Sequence, residues 1–150
     1  MIECVVLAVD PGPTESAWVL WDGKRLRGHA MHDNGYLLSF PPECGTPDQI
    51  AIEMITSYGM PVGRDVFDTC VWIGRFYQAW GGAALIPRHD VKMHLCGSPR
   101  AKDSNIRQAL IDRLGKPGTK KQPGATYGIA GDKWQALAVA VTWWDQQDKA

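Results

Sequence analysis

The sequence predicts an α/β fold in which a mixed β-sheet is flanked by helices. Two observations lead to this prediction. The chain opens with three strand-like segments joined by short turns, which is typical of an antiparallel meander, and it then alternates between strand-like and helix-like segments. The 150 residues are enough for one domain with its own core and too few for two domains of typical size. We therefore expect a single domain spanning residues 1–150.

The predicted strands are apolar runs that end in turn-forming residues. The first run ends at Asp10, Pro11 and Gly12, and Asp22-Gly23 is a strong signal for a hairpin between the second and third strands. The fourth run is short, apolar and bounded by a proline and a glycine. The five predicted strands cover residues 2–9, 16–21, 25–31, 49–55 and 84–87.

The predicted helices carry apolar residues at a spacing of three and four. The longest of the earlier helices covers 62–80 and is ended by Gly81-Gly82. Ser98-Pro99 has the residue types that start a helix. The remaining helices cover 90–95, from about 98 to 114, and 132–147. Residues 33–47 predict a loop with one helical turn near 36–39, and 116–131, rich in Gly, Pro and Lys, predicts a mobile loop.

Composition excludes several classes of protein. With 45% hydrophobic and 21% charged residues, the chain is unlike a disordered or collagen-like sequence. Its apolar runs are far shorter than the roughly 18 residues of a membrane span, and no signal peptide is recognisable at the start. We expect a cytoplasmic protein that does not enter a membrane. The four cysteines, at 4, 44, 70 and 96, lack the short spacing of zinc and redox motifs, so we expect reduced and mostly buried thiols, with paired disulfides as the alternative.

Charge is distributed unevenly along the chain although the formal net charge is zero. Residues 86–121 contain nine Lys and Arg against three acids, whereas the rest of the chain has seven basic and thirteen acidic residues. This asymmetry indicates either a phosphate-binding face opposite an acidic cluster or simply a solvated helix and loop. Charge alone favours neither interpretation.

Three carboxylates stand out by position. Asp10 ends the first strand, Glu53 lies inside the apolar fourth strand, and Asp132 opens the last helix. If the first and fourth strands are neighbours, Asp10 and Glu53 lie side by side, and two divalent cations could neutralise the three acids as in enzymes that hydrolyse phosphodiesters. Each acid also has a simpler interpretation: a turn residue, an exposed position on an edge strand, and a helix N-cap, respectively. The cation hypothesis fails if these oxygens lie far apart or pair with arginines.

The chain resembles the RuvC-like Holliday junction resolvases of the ribonuclease H-like superfamily from about residue 5 to residue 142. Four motifs in order carry this resemblance. They are Leu7-Ala8-Val9-Asp10-Pro11-Gly12, Ile50-Ala51-Ile52-Glu53, the two basic positions at Val91-Lys92 and in Gly97-Ser98 through Lys102, and Gln135-Ala136-Leu137-Ala138-Val139-Ala140-Val141-Thr142. Because the chain is small and its motifs are divergent, it resembles resolvases carried by bacteriophages more than the cellular enzymes. For a phage protein the compartment would be the host cytoplasm.

The resemblance implies a five-stranded mixed sheet, antiparallel in its first three strands and then parallel, with helices on both faces. It also implies a homodimer that cuts four-way DNA junctions with two Mg²⁺ ions, for which Mn²⁺ can substitute. Asp10, Glu53 and Asp132 would be catalytic metal ligands. The family usually has a second acid one turn after Asp132. Here Gln135 stands at that position, so its amide oxygen would be a neutral ligand.

The DNA-binding residues follow partly from the resemblance and partly from the basic segment. Lys92 and Lys102 would hold or polarise the scissile phosphate, Lys102 as part of the catalytic set, and Arg100 and Arg107 would add contacts to DNA. Tyr58, in the loop after Glu53, would open a base step or merely pack within that loop. Thr14, after the Pro-Gly turn, would touch the DNA backbone or only stabilise the turn.

Other functions stay open at this stage. A ribonuclease H-like nuclease could act on RNA–DNA hybrids or flaps, and a non-cutting module that binds junctions is suggested by Gln135. The Asp-Pro-Gly turn also occurs in ATP-binding sugar-kinase-like folds, but the chain is too short for their two lobes.

Overall fold

A computed structural model describes residues 4–39 and 47–147. In this part of the chain, five strands and five helices follow one another in the predicted order. They are β1 (Val6–Asp10), β2 (Glu15–Trp21), β3 (Leu26–Asp33), α1 (Asn34–Ser39), β4 (Gln49–Met54), α2 (Arg64–Ala79), β5 (Ala84–Pro87), α3 (Arg88–Cys96), α4 (Asp103–Leu114) and α5 (Lys133–Gln147). The predicted α/β class and all five strands are confirmed.

The sheet has the order β3-β2-β1-β4-β5, with antiparallel pairing as far as β1 and parallel pairing beyond it. In the parallel pair of β1 and β4, Val9 lies opposite Ile52. Continuing this register by one residue places Asp10 beside Glu53. Because β1, β4 and β5 run in the same direction, their carboxyl ends meet at one edge of the sheet, where parallel sheets carry their sites.

Both faces of the sheet are covered, as predicted. Alternate residues of β1 point to opposite faces, so Val6 and Ala8 pack with α3, α4 and α5, whereas Leu7 and Val9 pack with α1 and α2. All five residues of β1 are buried. The fully apolar run that ends in Asp10 is therefore explained by a central strand that is buried on both sides.

The turn after Asp10 is held by a small polar network. The Ser16 hydroxyl accepts a hydrogen bond from the Gly12 amide and donates one of 2.6 Å to the Asn34 side chain, which in turn donates to the Gly12 carbonyl. A Cβ at Gly12 would lie 2.5 Å from the Glu15 carbonyl oxygen. A larger residue would therefore displace the turn that follows Asp10.

Two segments differ from their predictions. Helix α4 begins at Asp103, not near Ser98, because Lys102 has extended backbone and its amide donates to the side chain of Asn105. The loop 116–131, expected to be mobile, has defined internal contacts. It folds back on itself through a hydrogen bond from the Gly124 amide to the Pro117 carbonyl, and it buries Thr126 and Ile129.

Helices α3, α4 and α5 are tied together on one face by a shared carboxylate. Asp145 on α5 accepts hydrogen bonds from Arg113 on α4 and lies 2.6 Å from the ring Nε2 of His94 on α3. The hydrogen bond from Arg113 lowers the pKa of Asp145. This contact fixes α4 relative to α5, and both helices carry residues of the site described below.

Cys4, Cys70 and Cys96 are free thiols, but they are only partly buried, contrary to the expectation of mostly buried thiols; Cys44 lies outside the described residues. None of the helices within 4–39 and 47–147 combines the length and the apolar character that a bilayer crossing requires.

Candidate metal and phosphate site

Asp10 and Glu53 are buried next to each other at the carboxyl ends of β1 and β4. Asp10 is 8% exposed and Glu53 only 2%. Burial raises the pKa of Asp10 well above its usual value, and the neighbouring charges of Glu53, Asp132 and Asp103 raise it further. Burial also raises the pKa of Glu53, although Arg88 opposes this. The charged forms of the two carboxylates are therefore disfavoured, and a positive charge placed nearby would stabilise them.

Arg88, the first residue of α3, supplies one such charge. Its Nη2 and Nε lie 2.9 Å and 3.0 Å from the same oxygen of Glu53, Oε1. The other oxygen, Oε2, is buried without a hydrogen-bond partner. Half of the Glu53 carboxylate thus remains unsatisfied in spite of the ion pair.

A second group of polar residues lies at the start of α5. Asp132 immediately precedes this helix and is exposed, and Gln135 is buried one turn later. The Gln135 amide nitrogen donates a hydrogen bond of 2.6 Å to Asp103 at the start of α4, whereas its carbonyl oxygen is buried without a partner. These three residues and Arg107 line an open cleft of about 350 Å³.

The acids do not form a ready-made metal cage. Within residues 4–39 and 47–147, no three Asp, Glu, His or Cys side chains are grouped so that they could hold a metal ion. One condition against the cation hypothesis is met for Glu53, because it pairs with an arginine. Asp132 raises the pKa of Asp10 through its charge, but it is not grouped with Asp10 and Glu53 among the described residues as a ready set of metal ligands. A cation site here requires the side chains to rearrange.

Two observations nevertheless fit a hard divalent cation. The unpartnered buried oxygens of Glu53 and Gln135 are both of the kind that Mg²⁺ prefers, and leaving such groups unpaired costs free energy. In addition, the charges of three carboxylates, Glu53, Asp103 and Asp132, all act on Asp10. Arg88 forms an ion pair with one of these acids, Glu53.

The predicted DNA-binding residues are spread around this region. Half-buried Lys92 lies near enough to lower the pKa of Glu53. Arg107 lines the cleft with Asp132, but Arg100 lines a separate depression with Ser98 and Asn105. Lys102 is exposed just before α4.

Tyr58 and Thr14 are both exposed in loops that follow the acidic strands. Tyr58 is 54% exposed in the loop after β4, and Thr14 lies in the turn after β1. Neither one contributes to the acidic pair. Their proposed contacts with DNA remain predictions.

Sequence reasoning missed Arg88 and Asp103 as site residues. A signal for Arg88 exists, because it directly follows the end of β5, and Pro87 pairs with Met54 next to Glu53. Asp103 gives no such signal, since it reaches the site only through the packing of α4 against α5.

Two solved structures are similar to this chain over nearly its whole length. One is a structure of Thermus thermophilus RuvC, with a TM-score of 0.63, 19% identity and coverage of 96% of each chain. The other is T. thermophilus RuvC in complex with a Holliday junction substrate, with a TM-score of 0.61, 17% identity and coverage of 98% of each chain. Neither a protein-family model nor a curated protein matches the sequence. The likeness confirms the prediction that the chain has the fold of RuvC.

Removing Arg88 and removing Glu53 should lower the free energy of unfolding by different amounts. Arg88→Met leaves a buried carboxylate without its counter-charge and should lower the free energy of unfolding by about 1–3 kcal/mol in metal-free buffer. Glu53→Gln should cost less, because the Arg88 side chain is 44% exposed and water can solvate it. Urea unfolding of both single variants and of the double variant measures this difference. Equal and additive losses would contradict the proposed dependence of Glu53 on Arg88.

Proposed function

We propose that this protein is a metal-dependent endonuclease that cuts four-way DNA junctions. The observation that carries the proposal is the buried pair of Asp10 and Glu53 at the parallel edge of the sheet. Burying two carboxylates together is costly, and Arg88 offsets this cost at only one oxygen of Glu53, so a bound cation would relieve the remainder. The shared fold with RuvC, which has been solved with a Holliday junction substrate, supports the choice of substrate.

Asp10, Glu53, Asp132 and the Gln135 amide oxygen would hold two Mg²⁺ ions, for which Mn²⁺ can substitute. When bound, such ions supply Lewis acidity and an activated water for hydrolysis of a phosphodiester. The chain's own part is to hold the two carboxylates buried and close together, although burial itself raises their pKa. Arg88 opposes that rise at Glu53, and its half-exposed side chain would move away from Oε1 when a cation binds.

The basic segment 86–121 would hold the DNA backbone beside the acids. Lys92 lies within electrostatic reach of Glu53, and Arg107 shares the cleft with Asp132. Both are placed to contact a phosphate next to the scissile bond. Lys102 and Arg100, exposed before α4, would extend this contact along the strand.

A homodimer would present two such sites to a symmetric junction, and α2 offers a surface for it. Phe67 and Val71 are 62% and 61% exposed, and Gly74 continues the same face of the helix. Nothing lies within 4 Å of a Cβ built on Gly74. A glycine inside a helix costs about 0.5–1 kcal/mol relative to alanine, and a second helix that approaches closely there would explain it.

A non-cutting junction-binding module is the second candidate. It is favoured by the ion pair that Arg88 forms with Glu53 and by the neutral Gln135 where the resemblance leads one to expect an acid. An enzyme on RNA–DNA hybrids or flaps would use the same acids. Products, not binding, separate these candidates.

The acidic pair is tested by cleavage. Asp10→Asn and Glu53→Gln should each lower the rate of junction cleavage at least about 100-fold, since each removes a cation ligand, while binding of the junction persists. A synthetic four-way junction is incubated with Mg²⁺ or EDTA and resolved on a denaturing gel. Asp65→Asn, which removes an exposed carboxylate on α2, is the control and should cut normally.

Matched substrates decide among the candidates. Symmetric nicks in the junction, absent from a linear duplex, support the proposal. Cleavage of hybrids or flaps in preference to the junction would replace it with the corresponding nuclease. Tight binding without products would leave the non-cutting module.

The basic segment is tested by the salt dependence of junction binding in EDTA. Lys92→Gln and Lys102→Gln should each weaken binding and reduce the slope of log K against log salt by about 1, because each removes one phosphate contact. Lys24→Gln, in the turn between β2 and β3, is the matched control. A slope that does not change in the two variants would contradict a phosphate-binding face at these lysines.

The dimer is tested by analytical ultracentrifugation. Phe67→Glu and Gly74→Leu should both give monomers, and Gly74→Leu should be at least as stable to urea as the monomeric Phe67→Glu variant, because leucine is a better helix former than glycine. Ala79→Lys adds a charge to α2 away from the face that carries Phe67, Val71 and Gly74, and it should leave the dimer intact. A wild-type protein that is monomeric at all concentrations would show that this surface does not pair two copies.

A further inference from the structure

The residue at position 135 carries no charge, but its amide is bound to a carboxylate from another helix. Gln135 is 7% exposed on α5, and its nitrogen donates a 2.6 Å hydrogen bond to Asp103 Oδ1 on α4. With the nitrogen used in this way, the amide is oriented so that its carbonyl oxygen is buried and unpartnered. The pair thus brings an anionic oxygen and a free neutral oxygen together.

Asp103 belongs to the same electrostatic environment as the buried acids. It lines the cleft shared by Asp132 and Gln135, and its charge lies within electrostatic reach of Asp10 and Glu53. It is also the first residue of α4, where a negative charge is favourable at a helix start. That local role accounts for an acid at position 103, but it does not account for the buried, unpartnered Gln135 carbonyl beside it.

We propose that Asp103 supplies the negative charge that position 135 lacks, so that Asp103 and the Gln135 carbonyl together complete the divalent-cation site. This inference rests on the proposed metal-dependent function. An acid on α5 would place the charge directly at the site. Here the charge comes from α4, and Gln135 positions it and adds its own oxygen. The Asp145 contact with Arg113 keeps the two helices in the register that this arrangement needs.

The arrangement predicts that the charge can be moved from α4 to α5. Asp103→Asn retains an acceptor for Gln135 but removes the charge, and it should weaken Mn²⁺ binding about tenfold or more. The double variant Asp103→Asn with Gln135→Asp moves the charge onto α5 and should recover affinity to within about threefold of the wild type. Asp112→Asn, on the same helix but hydrogen-bonded only to Gln108 among the described contacts, is the matched control and should bind as the wild type does.

Mn²⁺ binding to the purified full chain is measured from the free-ion signal in electron paramagnetic resonance, with Mg²⁺ competition. Circular dichroism confirms that each variant is folded, and junction cleavage is measured in parallel. Wild-type affinity in Asp103→Asn would overturn the inference while leaving the nuclease intact. Failure of the double variant to recover affinity would likewise show that the charge at 103 does not stand in for one at 135. A wild-type chain that neither binds Mn²⁺ nor cuts would overturn both the inference and the proposed function.

Discussion

Two carboxylates buried side by side are the constraint on which the rest of the site depends. Asp10 and Glu53 are more than nine-tenths buried at adjacent strand ends, and their pKa values rise because water is excluded and like charges are close. Arg88 satisfies one oxygen of Glu53 and leaves the other unpaired. The raised pKa values and the unpaired oxygen both mean that a bound cation, or a cation-bound phosphate, would lower the free energy of this pair.

The sheet produces this constraint through its topology. Three parallel strands end at one edge, so the residues at or just after their ends, Asp10, Glu53 and Arg88, converge although 35 residues separate the last two. The helices on one face add the second group, because α4 and α5 are tied by Asp145 and bring Asp103 to Gln135. The site is therefore built from two independent parts of the fold, a rigid sheet edge and a pair of helix starts.

The sequence was sufficient for the sheet and for one half of the site. Apolar β-branched runs predict β1 and β4, and a charge inside such a run marks Glu53, because burying it is costly without a reason. The other half depends on contacts between side chains on separate elements. Ser98-Pro99 has the composition of a helix start, yet the Asn105 side chain caps the chain at Lys102, so Asp103 becomes the first helical residue. Propensity does not reveal that choice, and without it the partner of Gln135 cannot be identified.

The ion pair at Glu53 and the hydrogen bond at Gln135 leave their side chains partly satisfied in the same way. In each case a polar group of the site is held by one contact while one buried oxygen stays without a partner. In a fully satisfied network, a cation would have to displace a hydrogen bond at every oxygen that it takes up, which would weaken its binding. Partial satisfaction keeps the oxygens in place at a cost of about 1–3 kcal/mol for each unpaired group, and that cost is recovered when a cation binds. Since Arg88 is half exposed and Glu53 is not, the arginine is the partner that can leave, and the buried acid stays where the strand puts it.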